Sequence, residues 1–238
     1  MVIKLFQFIV TLLRNMILSR KYFYLIYRHF INIGLKSLFI IGATLFFLGA
    51  SLVLNAYLNI QIQRESIIPK LVLLSMLREA APMFAALMLN ARIGSAITAE
   101  IANMKITNQL DAMKFLNVSP IKYLIIPRQY ALMLVSPLLF VISNIIGVLG
   151  GLVIYSVFFK YNPHIYLHYI LESITQIDIY IGLLKTFVFC QLIGISSSFF
   201  GLNCGHTTQD LTKSTINSIV FTSINILIFN YIITQVFT

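Results

Sequence analysis

The stretch that decides the fold is "LSMLREAAPMFAALMLNARIGSAITAEIANM", residues 74–104. It is almost entirely apolar, and yet it places Arg78 directly beside Glu79. The rest of the chain is similar in character: 59% of its 238 residues are hydrophobic and only 10% are charged, whereas a soluble domain carries about 25% charged residues. The composition therefore predicts a membrane protein, in which an adjacent acid and base need an explanation.

The positive net charge and a pI near 9.7 do not by themselves indicate a nucleic-acid partner, and we expect none. The basic residues are not clustered with aromatic residues as in a soluble binding module, so we interpret them as setting orientation in a bilayer. Cys190 and Cys204 lack a CxxC partner, which argues against a disulfide scaffold. His164 and His168 have no further ligand at suitable spacing, and we predict no metal site. The first twenty residues show no cleavable signal peptide.

Long apolar runs define the predicted spans, and charged residues are rare within them. Each run is long enough for the ~20 residues that a helix needs to cross hydrocarbon. We predict an all-α integral membrane protein with about five transmembrane helices, an N-terminal basic interfacial segment over 1–36 and a single transmembrane domain over 37–238. The predicted spans cover residues 37–60, 70–92, 128–158, 179–201 and 214–236.

The distribution of basic residues predicts the orientation. The first 36 residues carry six basic and no acidic residues, and the loop after the second span is also basic; we assign Glu65, Glu172 and Asp178 to the opposite loops. By the positive-inside rule the N-terminus is cytoplasmic and the C-terminus lies outside. The aromatic segment "YFYLIYRHFINIGL" (residues 22–35) suits a helix in the cytoplasmic interface, with an ordinary basic leader as the alternative. The six basic residues are Lys4, Arg14, Arg20, Lys21, Arg28 and Lys36.

The Arg78–Glu79 pair is the first candidate for a functional site. If the second span begins near Lys70, Arg78 lies about 12 Å deeper, where a charge usually faces the bundle interior or a water-filled cavity. Adjacent helical residues point about 100° apart, so the two cannot fully neutralise each other and at least one needs another partner. Because a guanidinium binds phosphate well, a phospholipid headgroup is a sensible partner. An ion pair that only fixes helix packing is the alternative.

Small residues and then an amphipathic segment follow the pair. Ala91, Ser95 and Ala99 recur every four positions with Gly94 beside them, which allows helices to approach closely. A helix predicted over 99–117 suits docking of a partner, with a helix resting on the membrane surface as the alternative. No P-loop is present, so ATP-driven work would need another chain. The apolar stripe of this helix consists of Ala102, Ile106, Leu110 and Met113.

Residues 77–128, "LREAAPMFAALMLNARIGSAITAEIANMKITNQLDAMKFLNVSPIKYLIIPR", resemble the signature region of MlaE-type permeases. These are the membrane subunits of ABC transporters that move phospholipids with MCE-domain proteins. The similarity is weaker towards the C-terminus, and the N-terminal third matches mainly in layout. Asn108 stands where the family has Glu. The positions that match the family's motif are Arg78, Glu79, Arg92, Gly94, Ser95, Ala96, Glu100, Gln109, Asp111, Ala112, Pro127 and Arg128.

The resemblance implies a homodimer of five-span subunits, each docked on a cytoplasmic ABC ATPase through the helix over 99–117. It implies a phospholipid pocket between the subunits, bordered by Arg78 and Glu79. No catalytic residue and no cofactor is expected on this chain, because ATP and Mg²⁺ would bind to the ATPase. Contacts with the ATPase are expected at Glu100, Lys105, Gln109, Asp111 and Lys114. Helix packing is expected at Ala91, Arg92, Gly94, Ser95 and Ala99.

The leading hypothesis is a non-enzymatic permease subunit that moves phospholipid between the membrane and an MCE-domain partner. Arg78 would orient the headgroup phosphate, and Glu79 would hold Arg78 or a neighbouring helix. The expected location is the bacterial cytoplasmic membrane, with a plastid inner envelope as the alternative. Two other hypotheses stay open: an intramembrane lipid-modifying enzyme with Glu79 as general base, and a structural membrane anchor for an ATPase.

Overall fold

The structure, a computed structural model, describes residues 2–15, 22–60 and 64–237. All regular elements in these ranges are helical. Four π-helical turns interrupt the longer helices, at Met76–Ala80, Asn90–Gly94, Ile121–Ile125 and Ile154–Phe158. The α-helices are α1 (Val2–Arg14), α2 (Phe23–Ile33), α3 (Leu35–Asn59), α4 (Arg64–Ser75), α5 (Ala81–Leu89), α6 (Ser95–Ile106), α7 (Gln109–Phe115), α8 (Ile126–Val153), α9 (Pro163–Ser173), α10 (Gln176–Leu202) and α11 (Thr208–Phe237).

Five helical segments in the described ranges are long and apolar enough to cross a membrane. A helix satisfies its own backbone hydrogen bonds, which is what a segment in lipid requires. The prediction of an all-α integral membrane protein with about five spans is therefore confirmed. The segments are Phe23–Asn59, Glu65–Ile106, Ile121–Phe158, Gln176–Leu202 and Thr208–Phe237.

The π-helical turn that carries Arg78 has a local cause in the sequence. In an α-helix the N–H of residue 82 would donate to the carbonyl of Arg78, but Pro82 has no N–H and its ring clashes with that carbonyl. The helix widens instead, and the Ala81 N–H donates to the carbonyl of Met76, five residues back. Pro127 follows the turn Ile121–Ile125 at the same offset, so the same cause applies twice.

The chain divides into two compact units. Unit 1 comprises Met1–Ser37, Leu89–Val135 and Val188–Leu227, and unit 2 comprises Leu38–Met88, Ser136–Phe187 and Ile228–Thr238. Within unit 2, α3 and α8 approach at glycines: a Cβ added to Gly49 would lie 1.9 Å from the carbonyl oxygen of Gly147. Glycine is the residue that permits so close a helix crossing in a membrane.

Unit 1 is held together by polar side chains between helices. The hydroxyl of Thr98 lies at 3.2 Å from the carbonyl of Ser197 and 3.0 Å from the hydroxyl of Ser218. The buried Asn90 amide donates to the carbonyl of Ile219 and to the hydroxyl of Ser223, each at 3.0 Å. Such bonds substitute for the hydrophobic effect, which is absent between helices in lipid.

The segment predicted as one helix over 99–117 is two helices, and that prediction was wrong in this detail. The α6 helix ends at Ile106 and α7 begins at Gln109. Asn108 lies between them with φ 57°, a left-handed conformation that asparagine adopts more readily than most residues. The break changes the direction of the chain, which a periodicity argument does not detect. Of the predicted stripe, Ala102 and Leu110 are buried.

The N-terminal segment contains α1 and α2, and α2 leads through Gly34 into α3. Exposed aromatic residues, among them Phe23, Tyr24 and Tyr27, cover part of α2, as an interfacial helix would require. The interfacial location itself stays a prediction. Arg20 and Lys21, which belong to the basic residues counted there, lie outside the described residues.

Candidate functional site

Arg78 and Glu79 lie in unit 2, on the π-helical turn between α4 and α5, and both are exposed. The Nε of Arg78 donates to Oδ1 of Asp178 and forms an ion pair with it. The Arg78 side chain is 46% exposed, while that of Asp178 is completely buried. Within the described residues neither Nη nitrogen of Arg78 has a hydrogen-bond partner, so the outer edge of the guanidinium is open.

Asp178 was predicted in an outer loop, and the structure corrects this. It lies in the first turn of α10, where its carboxylate and its backbone N–H both bond to the Thr175 hydroxyl. The Thr175 hydroxyl donates to Oδ2 of Asp178 at 2.5 Å and accepts from the Asp178 N–H at 3.4 Å. A charged residue at the start of a helix resembles a loop residue in a hydropathy profile, which explains the error.

Lys185 completes the group, and sequence reasoning missed its role. Its side chain is buried on α10, and its ammonium donates to the carbonyl of Arg78 at 2.6 Å and to the Thr234 hydroxyl at 2.7 Å. Pro82 has no N–H that could donate to the Arg78 carbonyl, so the first of these bonds supplies the donor that this carbonyl would otherwise lack. The sequence contained a signal for this: Asp178 and Lys185 are seven residues apart, which places both charges on one face of a helix.

We name Arg78, Glu79, Asp178 and Lys185 the Arg78 cluster. It contains two cations and two anions, and the Glu79 carboxylate interacts electrostatically with the Lys185 ammonium. The buried Asp178 fixes the guanidinium through Nε and leaves its two Nη nitrogens for another acceptor. A guanidinium held in this way can bind a phosphate or carboxylate through two parallel hydrogen bonds.

The residues predicted to contact an ATPase lie on α6 and α7, in unit 1. Glu100 accepts from Nη2 of Arg128 at 2.9 Å, and Arg128 is almost completely buried. We name these two residues the Arg128 pair; Arg128 was matched to the family motif but was not predicted as a site residue. Lys105 donates from Nζ to the carbonyl of Leu202 at 2.9 Å, near the end of α10.

The short helix α7 is polar on one side and ends in exposed apolar residues. Asp111 and Lys114 form an ion pair at 2.7 Å, and the Lys114 ammonium lowers the pKa of the Asp111 carboxyl. Gln109 is exposed at the start of the helix. Phe115 is 88% exposed and Leu116 76%, which is unusual for large apolar residues next to a charged pair.

The residues predicted for helix packing differ in their surroundings. Gly94 is buried, and a Cβ placed there would lie 3.2 Å from the hydroxyl of Ser197. Ala91 is exposed, Ser95 and Ala99 are partly exposed, and the Ser95 hydroxyl donates to the Ala91 carbonyl at 2.5 Å. Arg92 has a buried Nη1 without a hydrogen-bond partner in the described part of the chain. A Cβ at Gly94 would therefore lie close to a residue of α10, and a role in helix packing stays a prediction for all five residues.

Comparison with known proteins identifies the family. A family model described as "Permease MlaE" matches residues 26–236, which includes the Arg78 cluster and the Arg128 pair. The chain belongs to the MlaE permease family.

Relatives of this MlaE permease occur in several groups of organisms. A probable ABC transporter permease of Rickettsia conorii is 39% identical over 217 residues, which cover 91% of this chain and 84% of the relative. The intermembrane phospholipid transport system permease MlaE of Haemophilus influenzae is 31% identical over 219 residues, again 91% and 84% of the two chains. A probable ABC transporter permease of Pyropia yezoensis is 29% identical over 168 residues, 71% and 64% of the two chains.

Proposed function

We propose that this chain is the permease subunit of an ABC-type phospholipid transporter, and that the Arg78 cluster binds the lipid phosphate. The observation that carries the proposal is the state of Arg78, whose Nε is fixed by the buried Asp178 while its exposed Nη nitrogens have no partner in the described residues. Membership in the MlaE permease family and the phospholipid named for the Haemophilus influenzae relative support it.

We propose that ATP is hydrolysed on a separate ABC ATPase that docks on α7. The exposed Phe115 and Leu116 next to the charged Asp111 and Lys114 support this, because interfaces combine an apolar centre with a polar rim. The proposal includes a homodimer and an MCE-domain partner, as in the family. We place the chain in the cytoplasmic membrane, with the N-terminus inside, from the distribution of basic residues; a plastid inner envelope is the alternative.

The first experiment separates headgroup binding from neutralisation of Asp178. Phospholipid transfer is measured for the complex reconstituted with its ATPase, comparing Arg78→Ala with the double variant Arg78→Ala/Asp178→Asn. If Arg78 contacts phosphate, we expect both variants to lose transfer by about tenfold or more, because a charge-assisted hydrogen bond is lost. The ATPase should still co-purify with both.

Two results would contradict the assignment. Full transfer by Arg78→Ala would remove Arg78 from the mechanism. Recovery of transfer in the double variant would show that Arg78 only neutralises Asp178. Lipid turnover by the purified chain without ATP or partner would favour the enzyme hypothesis instead.

A second experiment tests the docking surface. Phe115→Ser and Leu116→Ser together should abolish co-purification of the ATPase while leaving lipid bound to the purified permease, since central apolar residues dominate interface energies. Leu171→Ser is the matched control, because Leu171 is 72% exposed but lies on α9. Undiminished co-purification of the double variant would place the ATPase elsewhere.

A further inference from the structure

A cavity of about 330 Å³ lies within unit 1, and none of the residues that line it belongs to the Arg78 cluster. Its wall comes from α2, from the π-helical turn Asn90–Gly94 with α6, and from the π-helical turn Ile121–Ile125 with the start of α8. Part of that wall is aliphatic. Its polar residues are Arg28, His29, Asn32, Glu100, Tyr123 and Arg128.

Arg128 is the unusual member of this wall. Its side chain is only 3% exposed, and one of its two terminal nitrogens, Nη2, donates to Glu100 at 2.9 Å. The other, Nη1, is buried and has no hydrogen-bond partner among the residues that the structure describes. Buried donors in native proteins nearly always have a partner, so this nitrogen indicates a missing acceptor.

The charges of the wall define the kind of acceptor that is missing. Arg28 and Arg128 supply two permanent positive charges, whereas Glu100 supplies a single negative charge that already accepts from Arg128. An anion would balance the remaining charge and accept from Nη1. Phosphate suits two guanidinium groups better than a carboxylate or a chloride ion does, because it has enough oxygens to accept hydrogen bonds from both.

We propose that this cavity binds a phosphate group, held between Arg28 and Arg128. The phosphate belongs either to a phospholipid headgroup or to a soluble phosphate ion. The aliphatic part of the wall gives the lipid additional contact area, and the exposed aromatic side chains of α2 suit a helix that lies at a membrane surface. The site shares no residue with the Arg78 cluster, and it does not depend on the function proposed for that cluster.

The test uses the full chain in a non-ionic detergent, in an Arg78→Ala background so that the Arg78 cluster contributes no phosphate binding. Isothermal titration calorimetry is carried out with three probes: dihexanoyl-phosphatidylglycerol, inorganic phosphate and dihexanoylglycerol, which has no phosphate. We expect the phosphate-bearing lipid to bind and dihexanoylglycerol not to bind. Equal binding of inorganic phosphate would identify the ion as the ligand, and weaker binding would identify the lipid.

Two variants locate the binding, and neither removes the buried Arg128. Arg28→Gln removes one phosphate contact from an exposed position on α2 and should weaken binding about tenfold. Arg14→Gln is the matched control: it removes the same charge from an exposed position on α1 that does not line the cavity. Ala96→Leu fills the cavity without changing charge and should also abolish binding, since Ala96 is an exposed part of its wall.

The proposal is overturned if no phosphate-bearing probe binds, or if dihexanoylglycerol binds as well as dihexanoyl-phosphatidylglycerol. It is also overturned if Arg28→Gln and Ala96→Leu bind as tightly as the parent protein, or if Arg14→Gln weakens binding as much as Arg28→Gln. Phospholipid transfer that fails in Arg78→Ala while the binding measured here persists would support both sites separately.

Discussion

Two of the ion pairs among the described residues, Arg78 with Asp178 and Arg128 with Glu100, differ in which partner is buried. In the Arg78 cluster the acid, Asp178, is completely buried, and the base, Arg78, is 46% exposed. In the Arg128 pair the base is 3% exposed and the acid, Glu100, is 54% exposed. Each pair therefore has one member that needs its partner for neutralisation and one that water or a ligand can reach.

The burial of the acid in one pair and of the base in the other determines which chemistry each pair offers. The buried Asp178 carboxylate has the Thr175 hydroxyl as a second partner, so it does not depend on Arg78 alone. The buried Arg128 guanidinium keeps its positive charge, since arginine stays protonated in proteins, and its partner in the described residues is Glu100. The Arg78 cluster can therefore expose a cation to an anionic ligand at modest risk, whereas the Arg128 pair depends on Glu100 or on another anion.

The largest expected effect is the contrast between Glu100→Ala and Arg78→Ala. Glu100→Ala leaves a buried Arg128 without an anion and should lower the free energy of unfolding by about 3 kcal/mol. Arg78→Ala should cost only about 1 kcal/mol, because Asp178 keeps its hydrogen bonds to Thr175. Unfolding by SDS in mixed micelles, followed by circular dichroism, measures both. Equal costs would remove the asymmetry between the pairs.

A smaller effect is expected from two lysines that donate to backbone carbonyls, Lys185 and Lys105. Lys185→Met should cost about 2 kcal/mol, because Lys185 is buried and the Arg78 carbonyl would lose its donor. Lys105→Met is the matched control: Lys105 also donates to a carbonyl, that of Leu202, but is partly exposed, so water can replace it at a cost of about 0.5 kcal/mol. The same mixed-micelle unfolding experiment compares them. A cost for Lys105→Met as large as that for Lys185→Met would contradict the role assigned to burial.

The smallest effect belongs to the Asp111–Lys114 pair, in which both partners are exposed. Hydrogen bonding to Lys114 lowers the pKa of Asp111, so any stabilisation is present above the ordinary aspartate pKa and is lost as pH falls through the lowered value. Exposed pairs contribute little, and Asp111→Asn should leave unfolding at neutral pH unchanged. Carbon-13 NMR of the carboxyl should give a low titration midpoint that rises in Lys114→Met. An unmoved midpoint would exclude Lys114 as the cause.

The sequence was sufficient to predict the membrane spans, but it was not sufficient to predict which side chains pair with one another between them. Hydropathy is a local property, so five apolar runs predicted five long helices. The pairing of Arg78 with Asp178, one hundred residues away, depends on which helices pack together, and no local pattern contains that information. We predicted that at least one of Arg78 and Glu79 needs a further partner and suggested a lipid phosphate; the structure gives Arg78 a protein partner, Asp178.

Other features left a signal that the periodicity argument did not use. Pro82 and Pro127 each follow a π-helical turn by two residues, because each removes a backbone donor from the helix. Asparagine at position 108 permits the left-handed break between α6 and α7. The buried, half-satisfied Arg128 left no signal beyond its match to the family motif, since its surroundings come from segments far apart in sequence.

The π-helical turn at Met76–Ala80 has a consequence for how this family can vary. A π-helical turn contains one residue more than the α-helix needs at that point. Deleting one residue there would restore an uninterrupted α-helix and rotate the residues on one side of the deletion by about 100° relative to those on the other. Length variation at this turn, as opposed to amino-acid replacement, is thus a direct way to redirect the Arg78 side chain. In comparisons among relatives, a one-residue gap at this place would signify a change of the charged face and not a mere difference in loop length.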